Sequence, residues 1–192
     1  MTELVLLFIG AALVNNFLLT RFLGICPFLG VTRELKAGVG MGIAVTAVMV
    51  ASVLVIWPIY HWGLAPLGLE YLQTILFILV IAAMVQVLEM IIRKFMPALY
   101  RAFGIYLPLI TTNCAILGLA LLMVGENYTF LQSLVFAIGS GAGITLAMAM
   151  MAAIREELEL VDVPPSLQGT GVALITAGIM ALSFMGFAGL SS

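Results

Sequence analysis

Cys26 and Cys114 are the only two thiols in a chain of 192 residues. Their surroundings match. Phe22-Leu-Gly-Ile-Cys-Pro-Phe-Leu-Gly30 and Leu107-Pro-Leu-Ile-Thr-Thr-Asn-Cys-Ala-Ile-Leu-Gly118 both contain Cys-x-x-Leu-Gly. Thiolate is a soft ligand suited to iron or zinc. Two thiolates are half of the usual four-cysteine iron–sulfur set, so one chain could supply half a site and a homologous partner the rest. The plainer reading is that a free cysteine packs as a small hydrophobe. Against it stand the matched positions and the lack of any other cysteine. Nothing in the sequence supports a disulfide or a reactive thiol.

Other polar residues lie close to both cysteines in sequence. Thr111, Thr112 and Asn113 precede Cys114, and Asn15 and Asn16 precede Cys26. They read either as interhelical hydrogen bonds and caps of a broken helix, or as donors around a cluster's sulfurs that help set its potential. Pro27 and Pro108 fit helix breaks in both readings. Glu89 stands four residues before Arg93, as in a helix-surface ion pair; an intramembrane carboxylate on a cation path is the other reading. His61, the only histidine, sits beside Trp57, Tyr60 and Trp62 in what reads as an interfacial aromatic belt. The 12 methionines read as packing rather than copper ligands. There is no Gly-rich phosphate loop, dinucleotide fingerprint or Cys-x-x-Cys, and one histidine cannot form a haem ligand pair. NAD and haem binding are not expected of this chain alone.

The elements that must position these residues follow from composition. The chain is 64% hydrophobic and 8% charged, with a mean hydropathy of +1.27. A soluble domain carries about 25% charged residues, so this is an integral membrane protein. Apolar segments fall at 4–20, 38–59, 70–92, 104–124, 129–154 and 168–189. Each is near the ~20 residues that a spanning helix needs. They are helices, because backbone polar groups in lipid must pair internally, and the segments are too continuous for barrel strands. The fold class is all-α integral membrane, with six transmembrane helices in one polytopic domain, 1–192. The first segment lacks a basic flank and a cleavage pattern, so it reads as a retained helix rather than a signal peptide.

Loops after the odd helices hold Arg33, Lys36, Arg93, Lys94, Arg101 and Arg155; the other loops and both termini hold no Lys or Arg. This asymmetry places the odd loops in the cytoplasm and both termini outside. Arg21 does not fit a simple hairpin. Residues 4–31 are too long for one span, and a break is expected between Asn15 and Gly24, with 24–31 a separate short helix.

The halves, about 1–100 and 101–192, look related. Gly38-x-Gly-x-Gly-Ile43 recurs as Gly139-x-Gly-x-Gly-Ile144, and Leu72-Gln73 as Leu167-Gln168. With the cysteines, the offsets are 101, 95 and 88 residues, in the same order along both halves. Three spans per half make this an inverted repeat, with the broken Cys-bearing segments meeting near the midplane.

The two Cys-bearing stretches, together with Ala153-Ile-Arg-Glu156, Asp162-Val-Pro-Pro165 and Leu174-Ile-Thr-Ala-Gly178, resemble the RnfA/NqrE family over essentially the full chain. Asn15-Asn16, Cys26-Pro27 and Thr111-Thr112-Asn113-Cys114 are closer to its RnfA branch. The resemblance implies a bacterial inner-membrane subunit, itself non-catalytic, of a ferredoxin:NAD oxidoreductase that moves sodium or protons. It implies that Cys26 and Cys114 bind one 2Fe–2S cluster together with two cysteines of an RnfE-like partner of opposite orientation. Iron–sulfur and flavin subunits of the same complex are the further partners. Asn113, Thr112, Asn15 and Asn16 are candidates for the surrounding support. The alternatives are an NqrE-like subunit of a sodium-translocating NADH:quinone reductase and a small inverted-repeat secondary transporter. A transporter would need polar solute ligands where this chain places thiols.

Overall fold

The computed structural model describes residues 2–32, 34–68, 70–95, 107–158, 160–161 and 169–188. Arg33, Arg101, Glu159, the Asp162-Val-Pro-Pro165 stretch and the Leu167-Gln168 landmark lie outside the described residues. Every described element is helical, and no strand occurs among the described residues. In chain order the α-helices of five residues or more are α1 (Thr2–Ile9), α2 (Ile25–Val31), α3 (Leu35–Ile59), α4 (Gln73–Phe95), α5 (Leu107–Thr111), α6 (Cys114–Gly125), α7 (Phe130–Leu158) and α8 (Thr170–Ala188). Three stretches are long and apolar enough to cross a membrane: Leu35–Leu64, Gln73–Ile91 and Phe130–Leu158. Thr2–Val14, Leu109–Gly125 and Thr170–Gly186 are shorter apolar helices.

Several boundaries differ from the sequence expectation, each for a local reason. The first helix does not run to residue 20. It passes into a π-helical turn, Gly10–Val14, and stops at Asn15. The chain then stays irregular until Ile25, within the stretch where a break is expected. The fourth segment is not continuous, and its break is at Thr112-Asn113 rather than at Pro108. Pro108 and Pro27 both lie in the first turn of a short helix, where a missing N–H costs nothing. The second segment does not end at residue 59. Pro58 lies inside α3, and a π-helical turn, Tyr60–Leu64, carries the helix on to Leu67. A widened turn re-pairs backbone that a proline has disturbed.

The core is organised on one seam. Among the described residues the pairing of α3 with α7 is the most extensive. It is antiparallel and reciprocal. A Cβ on Gly42 would lie 2.8 Å from Thr145 Cα, and a Cβ on Gly141 would lie 2.5 Å from Thr46 Oγ1. Each threonine hydroxyl turns back onto its own helix: Thr46 donates to Gly42 O at 2.7 Å, and Thr145 to Gly141 O at 2.8 Å. Small residues let two apolar helices approach closely where lipid offers no hydrophobic contrast. Met41, Met49, Met148 and Met151, all fully buried, fill the seam around them. On its other face α7 takes in α1 and the π turn that follows it, with Gly139 against Phe8 and Ala11, and Gly143 against Ala12.

By this arrangement Lys36, Arg93, Lys94 and Arg155 share one end of the bundle, the basic end. Arg21 does not join them. It lines a cavity of about 160 Å3 at the opposite end, with Asn15, Phe17, Leu122, Glu126, Tyr128 and Phe136.

Gly143→Ala places a methyl 2.6 Å from Ala12 O, a backbone atom that cannot rotate away. The expected cost is about 1–3 kcal/mol, read as a lower thermal unfolding midpoint in detergent. Gly178→Ala, which meets nothing within 4 Å, should leave the midpoint unchanged or slightly raised.

Candidate functional site

The two breaks face each other. At the first, the chain leaves α1 and is folded by Asn16, which is fully buried. Its Nδ2 donates to Gly143 O at 2.8 Å and to Ala12 O at 3.3 Å, and its Oδ1 accepts from Leu18 N–H at 3.1 Å. Thr20 Oγ1 donates to Asn16 O at 2.7 Å. A cluster of local polar bonds thus replaces the interrupted helix and pins it to α7. The segment then reaches Phe22, held at φ 54°, and Gly24, at φ 87°. Left-handed backbone costs glycine nothing but strains a phenylalanine.

At the second break Asn113 caps α6. Its Oδ1 accepts from Ala115 N–H at 3.0 Å, the standard way to satisfy a free helix N-terminus. The residue is 4% exposed, and its Nδ2 meets no acceptor among the described residues. A buried amide left unpaired is uncommon and costly.

The contact that joins the breaks is Gly24 N–H donating to Cys114 Sγ at 2.9 Å. Gly24 also fits against Asn113, since a Cβ there would lie 3.2 Å from Asn113 Oδ1. Leu23 fills the space above Gly118. Cys26 follows Gly24 by two residues, in the first turn of α2. The only two cysteines therefore lie on abutting segments, and both are exposed.

The other candidates sit as follows. Thr112 is exposed beside Cys114. Asn15 closes the π turn, its N–H donating to Gly10 O at 2.7 Å, and it lines the Arg21 cavity rather than the cysteines. Glu89 is partly buried on α4, one turn before Arg93. His61 stacks on Trp57 with ring centroids 4.8 Å apart, and Trp57 Nε1 donates to Tyr128 O at 3.1 Å. Gly24 escapes a sequence reading as a donor to the sulfur, because a glycine in a break advertises only conformational freedom.

Two exposed thiols, one backbone N–H already on a sulfur and one unpaired buried amide beside it suit half of a four-thiolate iron–sulfur site. Among the described residues no group of three or more His, Cys, Asp or Glu gathers. A cluster at this place would need its remaining ligands from elsewhere.

The family described as "Rnf-Nqr subunit, membrane protein" matches residues 4–191. The chain belongs to the Rnf-Nqr family. It is similar to the A-type subunit of the ion-translocating oxidoreductase complex from Syntrophotalea carbinolica, with 57% identity over 99% of this chain and 98% of the relative. The same A-type subunits from Serratia proteamaculans and Cronobacter sakazakii are 56% and 54% identical over the same shares. The Rnf-Nqr match spans both breaks and the α3–α7 seam, so neither is an appendage to the family's membrane domain.

Asn113→Ala removes the cap and should cost about 1 kcal/mol, whereas Asn113→Ser keeps an acceptor at the helix start and should lose only a few tenths; detergent melting curves separate them. At the far end, burial raises the Tyr128 hydroxyl above its usual 10.0, Glu126 adds to the rise and Arg21 opposes it. A raised value favours the neutral phenol in the fold, so that contribution is present below 10.0 and fades as pH rises through the folded value. Glu126→Gln should lower the midpoint of the ultraviolet phenolate titration and Arg21→Gln should raise it.

Proposed function

We propose that this chain is the A-type membrane subunit of a redox-driven, ion-translocating oxidoreductase complex of the ferredoxin:NAD type, and that it relays electrons rather than catalysing a reaction. Cys26 and Cys114 would hold half of a 2Fe–2S cluster, with a homologous, RnfE-like subunit of opposite orientation supplying the other two thiolates. The observation that carries this reading is the 2.9 Å contact of Gly24 N–H with Cys114 Sγ, which brings the two cysteine segments together.

Such a cluster, when bound, takes up and releases one electron at a time and so divides a membrane-wide transfer into shorter steps. The chain's own residues do the rest. Gly24 N–H stabilises negative charge on the Cys114 sulfur. The buried Asn113 Nδ2 supplies a second donor beside it, and Thr112 a hydroxyl at the exposed edge. Asn16 and Asn15 shape the first break, which brings Gly24 into place. The apolar side chains of Leu23 and Phe17 pack over Gly118, one turn after Cys114, and keep water from that side.

Six spans and an inverted repeat complete the proposal. The three shorter apolar helices join with the cysteine-bearing pieces around them to make the remaining crossings. Supporting the repeat, the seam relates Gly42 to Gly141 and Thr46 to Thr145 by a local two-fold exchange. That register is two residues shorter than the one the Gly-x-Gly-x-Gly repeats suggest. The basic end would face the cytoplasm of the bacterial inner membrane, with both termini outside.

The test is the intact complex carrying Cys26→Ala or Cys114→Ala, compared with wild type for iron content and electron paramagnetic resonance. The expected result is loss of one 2Fe–2S signal with assembly and other cofactors intact. An unchanged spectrum and iron count would sink the reading and bring solute transport forward. Asn113→Ser, which keeps the cap but not the amide, should retain the signal and shift its midpoint potential.

A further inference from the structure

The basic end of α7 carries Arg155 and Glu156, which reach across to the segment bearing Cys26. Arg155 Nη1 donates to Leu29 O at 2.9 Å and to Thr32 Oγ1 at 3.1 Å. Thr32, fully buried, in turn donates to Phe28 O. The next residue, Glu156, accepts through Oε1 from Leu35 N–H at 2.8 Å. The cation thus closes the last turn of α2 and the anion caps the first turn of α3. Both signs match the partial charges of the helix ends they meet. Behind them, Gly38 lets α3 settle against Ala152 and Met148 O.

We infer that Arg155 and Glu156 form a clamp on the α2–α3 elbow and are positioning residues for Cys26. Helix α2 has seven residues, too few to be stable by itself. Its placement is therefore set by what holds its ends. One end follows Gly24, which is bonded to Cys114 Sγ; the other is held by Arg155. Cys26 lies three residues before Leu29, on the same face of the helix. A shift of the Leu29 carbonyl is therefore passed to the Cys26 sulfur and alters its separation from Cys114. The planar guanidinium can serve two acceptors in a fixed fork; an ammonium keeps the charge but not that geometry. This inference rests on the relay reading for what Cys26 does, but not for how α2 is held.

The test uses the intact complex with Arg155→Gln, Arg155→Lys and Glu156→Gln. Two readouts are taken: hydrogen exchange of the peptide covering Ile25–Val31, and the resonance spectrum and midpoint potential of the cluster. Arg155→Gln should speed α2 exchange about tenfold, as loss of a charge-assisted hydrogen bond implies, and should broaden the spectrum or move the potential. Arg155→Lys should recover part of both. Glu156→Gln should give a smaller change of the same sign. Unchanged exchange in Arg155→Gln overturns the clamp. Faster exchange with an unchanged spectrum and potential overturns the positioning role, since a purely structural contact would do that. If Arg155→Gln fails to assemble, the lysine variant decides by the same two readouts. A wild-type complex without the cluster signal would sink the relay reading instead, and exchange alone would then decide the clamp.

Discussion

The structure depends on one constraint: an apolar surrounding gives an interrupted helix no water to pair with. Among the described residues two helix interruptions lie beside the cysteines, and each is answered by the chain's own groups. At the first break the Asn16 side chain serves Gly143, Ala12 and Leu18 together. At the second, Asn113 caps Ala115. Between them, Gly24 N–H finds no carbonyl and takes a sulfur instead. The cysteine thus appears where the backbone is short of a partner, so the chemistry of the site and the stability of the fold rest on the same bond.

The α3–α7 seam makes this possible by being rigid. Two long helices locked through reciprocal glycine–threonine contacts give the broken segments something fixed to attach to. Helix α7 serves three of them. Its Gly139 and Gly143 receive α1 and the π turn after it, Gly143 O receives Asn16, and Arg155 receives α2. The first break and α2 are thus fastened to one long helix as well as to the second break, which they meet through Gly24 N–H on Cys114 Sγ.

Much of this can be read in the sequence, and the parts that cannot have clear causes. The membrane class, the apolar segments and the break after Asn15 follow from hydropathy, length and an Asn-Asn pair in an overlong stretch. The second break is easily misplaced because proline draws attention as a helix breaker. Pro108 in a first turn breaks nothing, and Asn113, which does mark the interruption, looks in sequence like any polar residue in a span. Helix continuation through Pro58 is hidden because a π turn has no residue signature. The glycine repeats point to the seam but give a register two residues off, since the contact is made by Gly42 and Thr46 with Gly141 and Thr145. The reach of Arg155 to Leu29 links residues that share no local pattern, and only packing brings them together.

The π turn at Gly10–Val14 has a consequence for how this segment can change over generations. Such a turn holds one residue more than the α-helical turn it replaces, and so rotates everything after it by about 100°. The rotation aims Asn16 at Gly143. Ala11 and Ala12 press against Gly139 and Gly143 and must stay small, while Leu13 and Val14 need only remain apolar. Their number is fixed: losing one would return the helix to its ordinary phase and swing Asn16 away from α7. Lineages of this protein should therefore tolerate substitution in that segment far better than they tolerate a change in its length.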